Sequence, residues 1–391
     1  MPEKKRIMFL GTYPPRLCGI ATFTQDLSRG VSRVAPDKFD TRIIALNNKG
    51  TSFDYPPEVV GQITAQNVPE FLAAAKKIND DDRIRVVSIQ HEFKIFGSDS
   101  GENLLPFMDA VEKPMITTLH SVPFDSKPDR KKSLQEVVRK SDCVVVMAKK
   151  GEELLHQEYG LKNEVIKIIP HGIHDRPFVP QGPIKKELGY EGKTLLISFG
   201  FLRAGRKKRS SGRGYEDVLE ALPEIVKKFP DVLYLILGDT HPVIYQKEGD
   251  KYYNFLIRRV KELGVEKHVK FIKKYLPLEE LLTYLQAADI YICSNLNPAQ
   301  ITSGTLVYAL GAGRAVVSTP FVHAAEILSP EHGGLLTEFG NPNSIAEDVI
   351  RILGDPKFKK ELEKNAYKYT RPMTFTNVGR EYYKQIFSKY L

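Results

Sequence analysis

No apolar run in this chain approaches the ~20 residues that a membrane-spanning helix requires. The opening Met1-Pro2-Glu3-Lys4-Lys5-Arg6 leads straight into a short strand-like stretch instead of a signal peptide, so the expected location is cytoplasmic. Cysteine is scarce. Cys18, Cys143 and Cys293 stand far apart, and the latter two sit in apolar strand patterns, which excludes a disulfide framework or a cysteine metal cluster. Gly-x-Gly-x-x-Gly is missing after the first apolar strand, and no downstream acid stands out as a ribose ligand, so a dinucleotide cofactor is not expected. Asp80-Asp81-Asp82 has the spacing of a metal-binding acidic pair, but it precedes its strand instead of ending one. It reads as a solvated loop, and neither metal nor cofactor is expected. Charge is only mildly unbalanced, 57 basic against 48 acidic residues for a net +9, which gives no reason to expect nucleic acid. One patch is concentrated: Arg206-Lys207-Lys208-Arg209 is either a solvated loop or a peripheral contact with anionic membrane or a phosphate-bearing acceptor.

What is present is a repeated alternation of strands and helices. Ile7 to Leu10, Arg42 to Leu46, Val86 to Ile89, Met115 to Leu119, Cys143 to Val146 and Val165 to Ile169 read as strands, with helical patterns between most of them. Leu195 to Phe199, Leu233 to Leu237, Val269 to Ile272, Asp289 to Cys293 and Ala315 to Ser318 begin a second series. The fold class is α/β, with parallel sheets covered on both faces. A chain of 391 residues with 42% hydrophobic side chains has enough apolar material for two such cores. Pro177, Pro180, Gly182 and Pro183 crowd a polar stretch and place the boundary there. The expected domains are residues 1–176 and 193–372, joined by a linker at 177–192, with a last aromatic-rich helix from Phe375 to Leu391.

In sheets of this kind, ligands gather at the carboxyl ends of the strands. His91, His120 and His171 all follow strand ends in the first half; one such histidine is usually structural, but three on one edge suggest a site. Gly19 lies in a glycine and proline loop that opens a helix through Leu27 and Val31, and reads equally as a tight turn or as part of a cleft lining. In the second half, Gln300-Ile301-Thr302-Ser303-Gly304-Thr305-Leu306 falls between a strand and a helix. Ser303 is a natural N-cap and Gly304 leaves the backbone open to an anion, so the stretch is either a plain cap or a phosphate site.

Asn297 and Gln300 to Leu306, with Tyr308-Ala-x-Gly-x-Gly-x-Ala-Val-Val-Ser-Thr-Pro320 and His323-Ala, resemble the donor-binding segment of the retaining GT-B glycosyltransferases of family 4. A bacterial branch with this Gln-Ile-Thr-Ser-Gly-Thr-Leu signature is the nearer likeness. The larger family carries two glutamates eight positions apart, where this chain has Gln300 and Tyr308. The resemblance implies two Rossmann-like domains facing across a cleft, with the C-terminal segment 373–391 crossing back to the first. It implies a sugar transferred from a nucleotide-diphosphate donor, with retention and without metal, to a glycan, lipid-linked or small-molecule acceptor.

Site residues follow from the same likeness. Arg203 matches a family arginine aimed at the donor diphosphate, and Arg213, before Gly214, best matches a lysine of that site, although Lys207 and Lys208 compete for the place. Asp239 and His241 would border the pyrophosphate or sugar, the base would lie beside Phe271 to Leu276, and Gly19 would line the cleft. Donor contacts would also come from Thr302, Ser303, Gly304 and Thr305. His120, in Thr118-Leu119-His120-Ser121, would face the donor sugar, and Gln300 would take over part of the missing glutamate's contact. His91-Glu92-Phe93 and His171 match the acceptor side, with Lys94 where a glycine is expected. Two rival functions share the fold: a non-catalytic nucleotide or glycan binder, and a nucleotide-sugar epimerase. A phosphorylase would need a lysine for pyridoxal phosphate, and none is identified.

Overall fold

The computed structural model describes residues 3–124, 127–161, 165–205 and 212–391. The basic run Arg206 to Arg209, and with it the expected lipid or phosphate contact of Lys207 and Lys208, lies outside the described residues. The chain divides into two units: Met1–Gly172 with Pro372–Leu391, and Ile173–Arg371.

The first unit is built on seven parallel strands, β1 (Lys5–Gly11), β2 (Phe39–Asn47), β3 (Val59–Thr64), β4 (Ile84–His91), β5 (Met115–Leu119), β6 (Cys143–Val146) and β7 (Ile166–Ile168). Their order across the sheet is β3-β2-β1-β4-β5-β6-β7. The chain therefore winds outward from β1 in one direction, returns, and winds outward in the other. That reversal leaves a crevice at the carboxyl ends of β1 and β4. Strands near the middle are buried along their length, as the Val-rich β6 shows, because helices cover both faces. β3 escapes sequence reading because its first four residues alternate between half-buried and exposed and only Ile63 is buried.

Helix Gly19–Ser32 packs on helix Phe375–Gln385 at a glycine contact, since a Cβ on Gly30 would overlap the Phe375 carbonyl and one on Gly379 would overlap Gly30. The C-terminal segment thus belongs to the first unit. Its helix stops at Gln385, short of the expected Leu391, because Ile386 leaves helical geometry at φ −131° and ψ −70°; a 3-10 turn, Phe387–Lys389, follows. Its aromatic residues serve packing: Tyr382 is buried with its hydroxyl 2.9 Å from Thr118 Oγ1, and Tyr383 stacks on Phe39 at 5.7 Å.

The second unit has six parallel strands, β8 (Thr194–Phe199), β9 (Val232–Leu237), β10 (Val269–Ile272), β11 (Ile290–Cys293), β12 (Ala315–Ser318) and β13 (Gly334–Leu336). The order β10-β9-β8-β11-β12-β13 repeats the doubly wound plan, with its reversal between β8 and β11. β13, only three residues long, gave no pattern to read. Helices Tyr215–Lys228, Lys251–Glu262 and Pro342–Gly354 bury Leu219, Leu222, Leu256 and Val349 against this sheet. The stretch read as a linker holds helix Gln181–Glu187, which lies in the second unit: Gln181 Nε2 donates to Glu363 at 2.6 Å and Lys185 pairs with Asp289. Among the described residues no helix is long and apolar enough to cross a membrane.

Candidate functional site

In the first unit, three histidines stand at strand ends on the carboxyl side. His91 ends β4 and is fully buried, its ring stacked on Phe96 at 5.6 Å and edge-on to Phe93 at 5.1 Å. Neither of its ring nitrogens has a hydrogen-bond partner among the described residues. His120 follows β5 with Nε2 3.2 Å from Gln90 Oε1, and its backbone N–H donates to the His91 carbonyl at 3.0 Å. His171 lies with Nδ1 2.8 Å from its neighbour's carbonyl, Gly172 O. Phe23 joins two of them, 4.7 Å from His120 and 5.0 Å from His171. Its helix begins at Gly19, which is exposed and has open space where a side chain would go.

Burial sets the chemistry of these rings. It pulls His91 and His120 from the usual 6.5 down to about 3, the latter helped by the charges of its neighbours His171 and His91, and His171 to about 4. At neutral pH all three are neutral, fit to give or accept hydrogen bonds but not to serve as cations. The sign for stability follows. Below pH 6.5 the unfolded histidines take up protons that the folded ones refuse, so stability falls as pH drops from about 6.5 to 4. Asp26, pushed up to about 7 chiefly by burial, works in the opposite direction, so the effect is best read as a difference. Across that window wild type should lose up to ~1.4 kcal/mol per pH unit more than His91→Gln. Denaturant titrations at pH 6.5, 5.5 and 4.5 measure this, and parallel curves would contradict it.

Glu92 accepts a hydrogen bond from Ser121 Oγ; burial pushes its carboxyl up, against that bond and the charge of Arg130. Lys94, in the turn Phe93–Phe96, points outward with its ammonium 3.9 Å from Asp99. Asp81 pairs with Arg6 at 3.3 Å and with Arg83 at 2.9 Å, and Asp80 with Lys76 at 2.9 Å, so the acidic run is occupied by cations of its own chain. Among the described residues no three His, Cys, Asp or Glu side chains gather as a metal ion would need.

In the second unit the expected donor residues meet at the reversal between β8 and β11. Helix Gly304–Gly311 begins at the Ser303 cap, whose Oγ accepts the Leu306 N–H at 3.4 Å. The Ser303 N–H donates to His323 Nδ1 at 2.9 Å. Of the first-turn amides, those of Gly304 and Thr305 are left without an intrahelical acceptor. The Thr305 hydroxyl is engaged below by Tyr291 and Cys293, so this residue offers its backbone and not its side chain. Thr302 Oγ1 is buried without a partner among the described residues. Gln300 is braced at both ends of its amide: Oε1 accepts from Asn295 Nδ2 at 2.5 Å and Nε2 donates to the Thr302 carbonyl at 2.8 Å. Each end of the amide keeps one further hydrogen-bonding position, so a sugar contact from Gln300 would share the amide with these two partners. Tyr308, at the second glutamate place, lies edge-on to His174 at 5.0 Å.

Arg213 approaches the same crevice from the turn before helix Tyr215–Lys228. Gly214, at φ 65°, permits that turn, because a Cβ there would overlap the Ser294 carbonyl; Ser294 Oγ in return donates to the Arg213 carbonyl at 2.8 Å. The guanidinium lies against Gly200, with Nη2, Cζ and Nε 3.0, 3.1 and 3.4 Å from where a Cβ there would stand, and its Nε–H is buried with no acceptor among the described residues. Its charge opposes the burial that raises the Tyr215 hydroxyl to about 12 and also raises Tyr291 and Cys293. Arg203 follows the bridge between Leu202 and Thr240, at the end of β8. Asp239 accepts from the Thr240 N–H at 2.7 Å and from Lys273 at 3.3 Å, and Lys273 reaches Asp250 at 2.9 Å. His241 caps helix Pro242–Glu248 through Nδ1, 3.3 Å from the Val243 N–H, with Phe201 4.9 Å from its ring.

The structure thus brings Arg203, Arg213, Asp239, His241, Gln300 and Thr302 to Thr305 to one edge of the second sheet, and Gly19, His91, Glu92, Lys94, His120 and His171 to one edge of the first. Sequence reasoning passed over Phe23 and Asn295, and named Lys273 only within the Phe271 to Leu276 stretch. Phe23 carried a usable signal, four residues after Gly19 and so on the same helix face.

The chain is 27% identical over 233 residues, 58% of its length, to mannosylfructose-phosphate synthase of Agrobacterium fabrum. It is 24% identical over 251 residues, 61% of its length, to a GDP-mannose-dependent monoacylated alpha-(1-6)-phosphatidylinositol monomannoside mannosyltransferase of Corynebacterium glutamicum. It spans about half the length of such relatives, 44% and 59% of these two. Among solved structures, HepE of Anabaena in complex with UDP-glucose superposes with a TM-score of 0.75 at 16% identity, covering 98% of this chain and 99% of that one. The doubly wound pair of parallel sheets is the fold of that structure. Residues 202–369, all in the second unit, fit the family described as glycosyl transferases group 1.

Proposed function

We propose that the chain is a glycosyltransferase that takes a hexose from a nucleotide-diphosphate sugar and passes it, with retention and without a metal, to a glycan, glycolipid or small-molecule acceptor. One observation carries this reading: at the carboxyl ends of strands beside the topological reversal of the second sheet stand a guanidinium whose buried Nε–H has no partner among the described residues and a helix start whose first two amides have no intrahelical acceptor. Breaking the glycosidic bond leaves a diphosphate with added negative charge, and fixed donors that meet that charge lower the barrier. Arg203 and Arg213 would stabilise it together with the amides of Gly304 and Thr305. His120 would position the donor sugar, and His91, Glu92, Lys94 and His171 would meet the acceptor. No general base is assigned, because the leaving phosphate can itself accept the acceptor's proton.

Magnitudes bound what this site does alone. Charge-assisted hydrogen bonds contribute about 1.5–3 kcal/mol each and a helix start about 0.3–1, so two arginines and one helix give on the order of 5 kcal/mol. Micromolar binding needs about 8, and base and sugar contacts must make up the difference. A second reading, a nucleotide binder without turnover, draws on the bracing of Gln300 and the packing of Tyr308 against His174. Nucleotide release from UDP-, GDP- and ADP-sugars, with and without a crude glycan and glycolipid extract, separates the readings. The transferase releases nucleotide only with extract. Binding without any release supports the binder, and sugar conversion without acceptor supports an epimerase.

A further inference from the structure

His323 is no part of the crevice lining just described, yet it holds the backbone that forms it. It is the second residue of helix Val322–Ile327 and is 1% exposed. Its Nδ1 accepts the Ser303 N–H at 2.9 Å, its own N–H donates to the Gln300 carbonyl at 3.1 Å, and the Val322 N–H donates to the Pro298 carbonyl at 3.0 Å. Three bonds from one helix start therefore span the loop that delivers the chain to helix Gly304–Gly311. That start is anchored in turn, since Thr319 donates through Oγ1 to the Asn295 carbonyl at 2.5 Å and through its N–H to the Cys293 carbonyl at 3.1 Å.

The side-chain bond is the one that selects which amides face outward. Ser303 is buried and extended, at φ −138° and ψ 100°, and its N–H needs an acceptor. With that N–H turned onto His323, the next two amides, of Gly304 and Thr305, open away from the core. Without it, the peptide between Thr302 and Ser303 must rotate to satisfy the N–H elsewhere, and the Gly304 amide shifts with it. We infer that His323 is a positioning residue for a diphosphate-binding turn, its Nδ1 fixing Ser303 so that the Gly304 and Thr305 amides converge on phosphate. This rests on the second unit being a nucleoside-diphosphate site.

An accepting Nδ1 makes a geometric demand that two variants separate. The Oδ1 of asparagine reaches the place of Nδ1, whereas the amide of glutamine reaches that of Nε2. UDP, GDP and ADP are titrated calorimetrically into wild type, His323→Asn and His323→Gln, with the parent nucleoside of the best ligand as reference. For the Asn variant the expected diphosphate affinity lies within about twofold of wild type; for Gln it falls about tenfold, as one misplaced donor implies. Nucleoside affinity stays unchanged in both, and donor KM rises in the Gln variant with little change in kcat. Equal diphosphate affinity in all three proteins overturns the role of His323, as do equal losses for nucleoside and diphosphate. Should the Gln variant melt early, the Asn variant decides: a native melting temperature with lost diphosphate affinity overturns the inference. If wild type binds none of the three diphosphates, the site reading itself fails, and this result differs from every other.

Discussion

Arg213→Ala is expected to lower kcat/KM for the nucleotide-sugar donor by about two to three orders of magnitude, the effect of deleting one fixed donor from a charge-stabilising site. The fold should survive. Removing the Arg213 side chain takes no acceptor's partner away at Nε, whose buried N–H has no acceptor among the described residues, and what the guanidinium covers is Gly200. The residue's own carbonyl, which accepts from Ser294 Oγ, remains in the variant. Arg213→Lys should recover part of the loss, since it restores charge but not the planar fork beside Gly200. Steady-state kinetics beside a melting curve checks both points. A variant with wild-type turnover would remove Arg213 from the site, and a variant that unfolds would recast it as a packing residue.

Gly238→Ala should cost about 3 kcal/mol or more of stability and abolish nucleotide binding together. Gly238 adopts φ 138°, where side chains are strained, and an added Cβ would overlap the carbonyl of Gly200. Backbone cannot yield there. The Gly200 N–H is bonded to the Leu237 carbonyl and the Gly238 N–H to the Ile272 carbonyl, each at 3.0 Å, while the Tyr215 hydroxyl donates to the Gly200 carbonyl at 3.2 Å. Relief would separate the ends of β8 and β9 and displace the surface on which Arg213 lies. Urea denaturation with a nucleotide titration measures the two losses; a variant within about 0.5 kcal/mol of wild type would show that the two strand ends part freely.

These expectations depend on features that differ in how far they can be read from the sequence. The parallel sheets were legible because central strands such as Cys143 to Val146 and Ala315 to Ser318 are buried on both faces and appear as unbroken apolar runs. Of the four edge strands, β7 and β10 still showed apolar alternation, whereas β3, mostly half-buried or exposed, and the three-residue β13 carry no such run. The Ser303 cap and its open glycine were readable from local chemistry alone. Which amides that cap leaves free was not, since it depends on His323, twenty residues further on. Gln300 shows the same limit: its type suggested a hydrogen-bonding partner for a ligand, but only the fold shows its amide already bonded to Asn295 and Thr302.

The most direct test is a calorimetric titration of UDP, GDP and ADP into wild type and Arg213→Ala at two salt concentrations. The site described here predicts that at least one diphosphate binds wild type with a micromolar Kd, weaker at the higher salt and at least tenfold weaker in Arg213→Ala. Absence of binding by all three, or equal binding by both proteins, would contradict the assignment of Arg213, Gly304 and Thr305 to a diphosphate site.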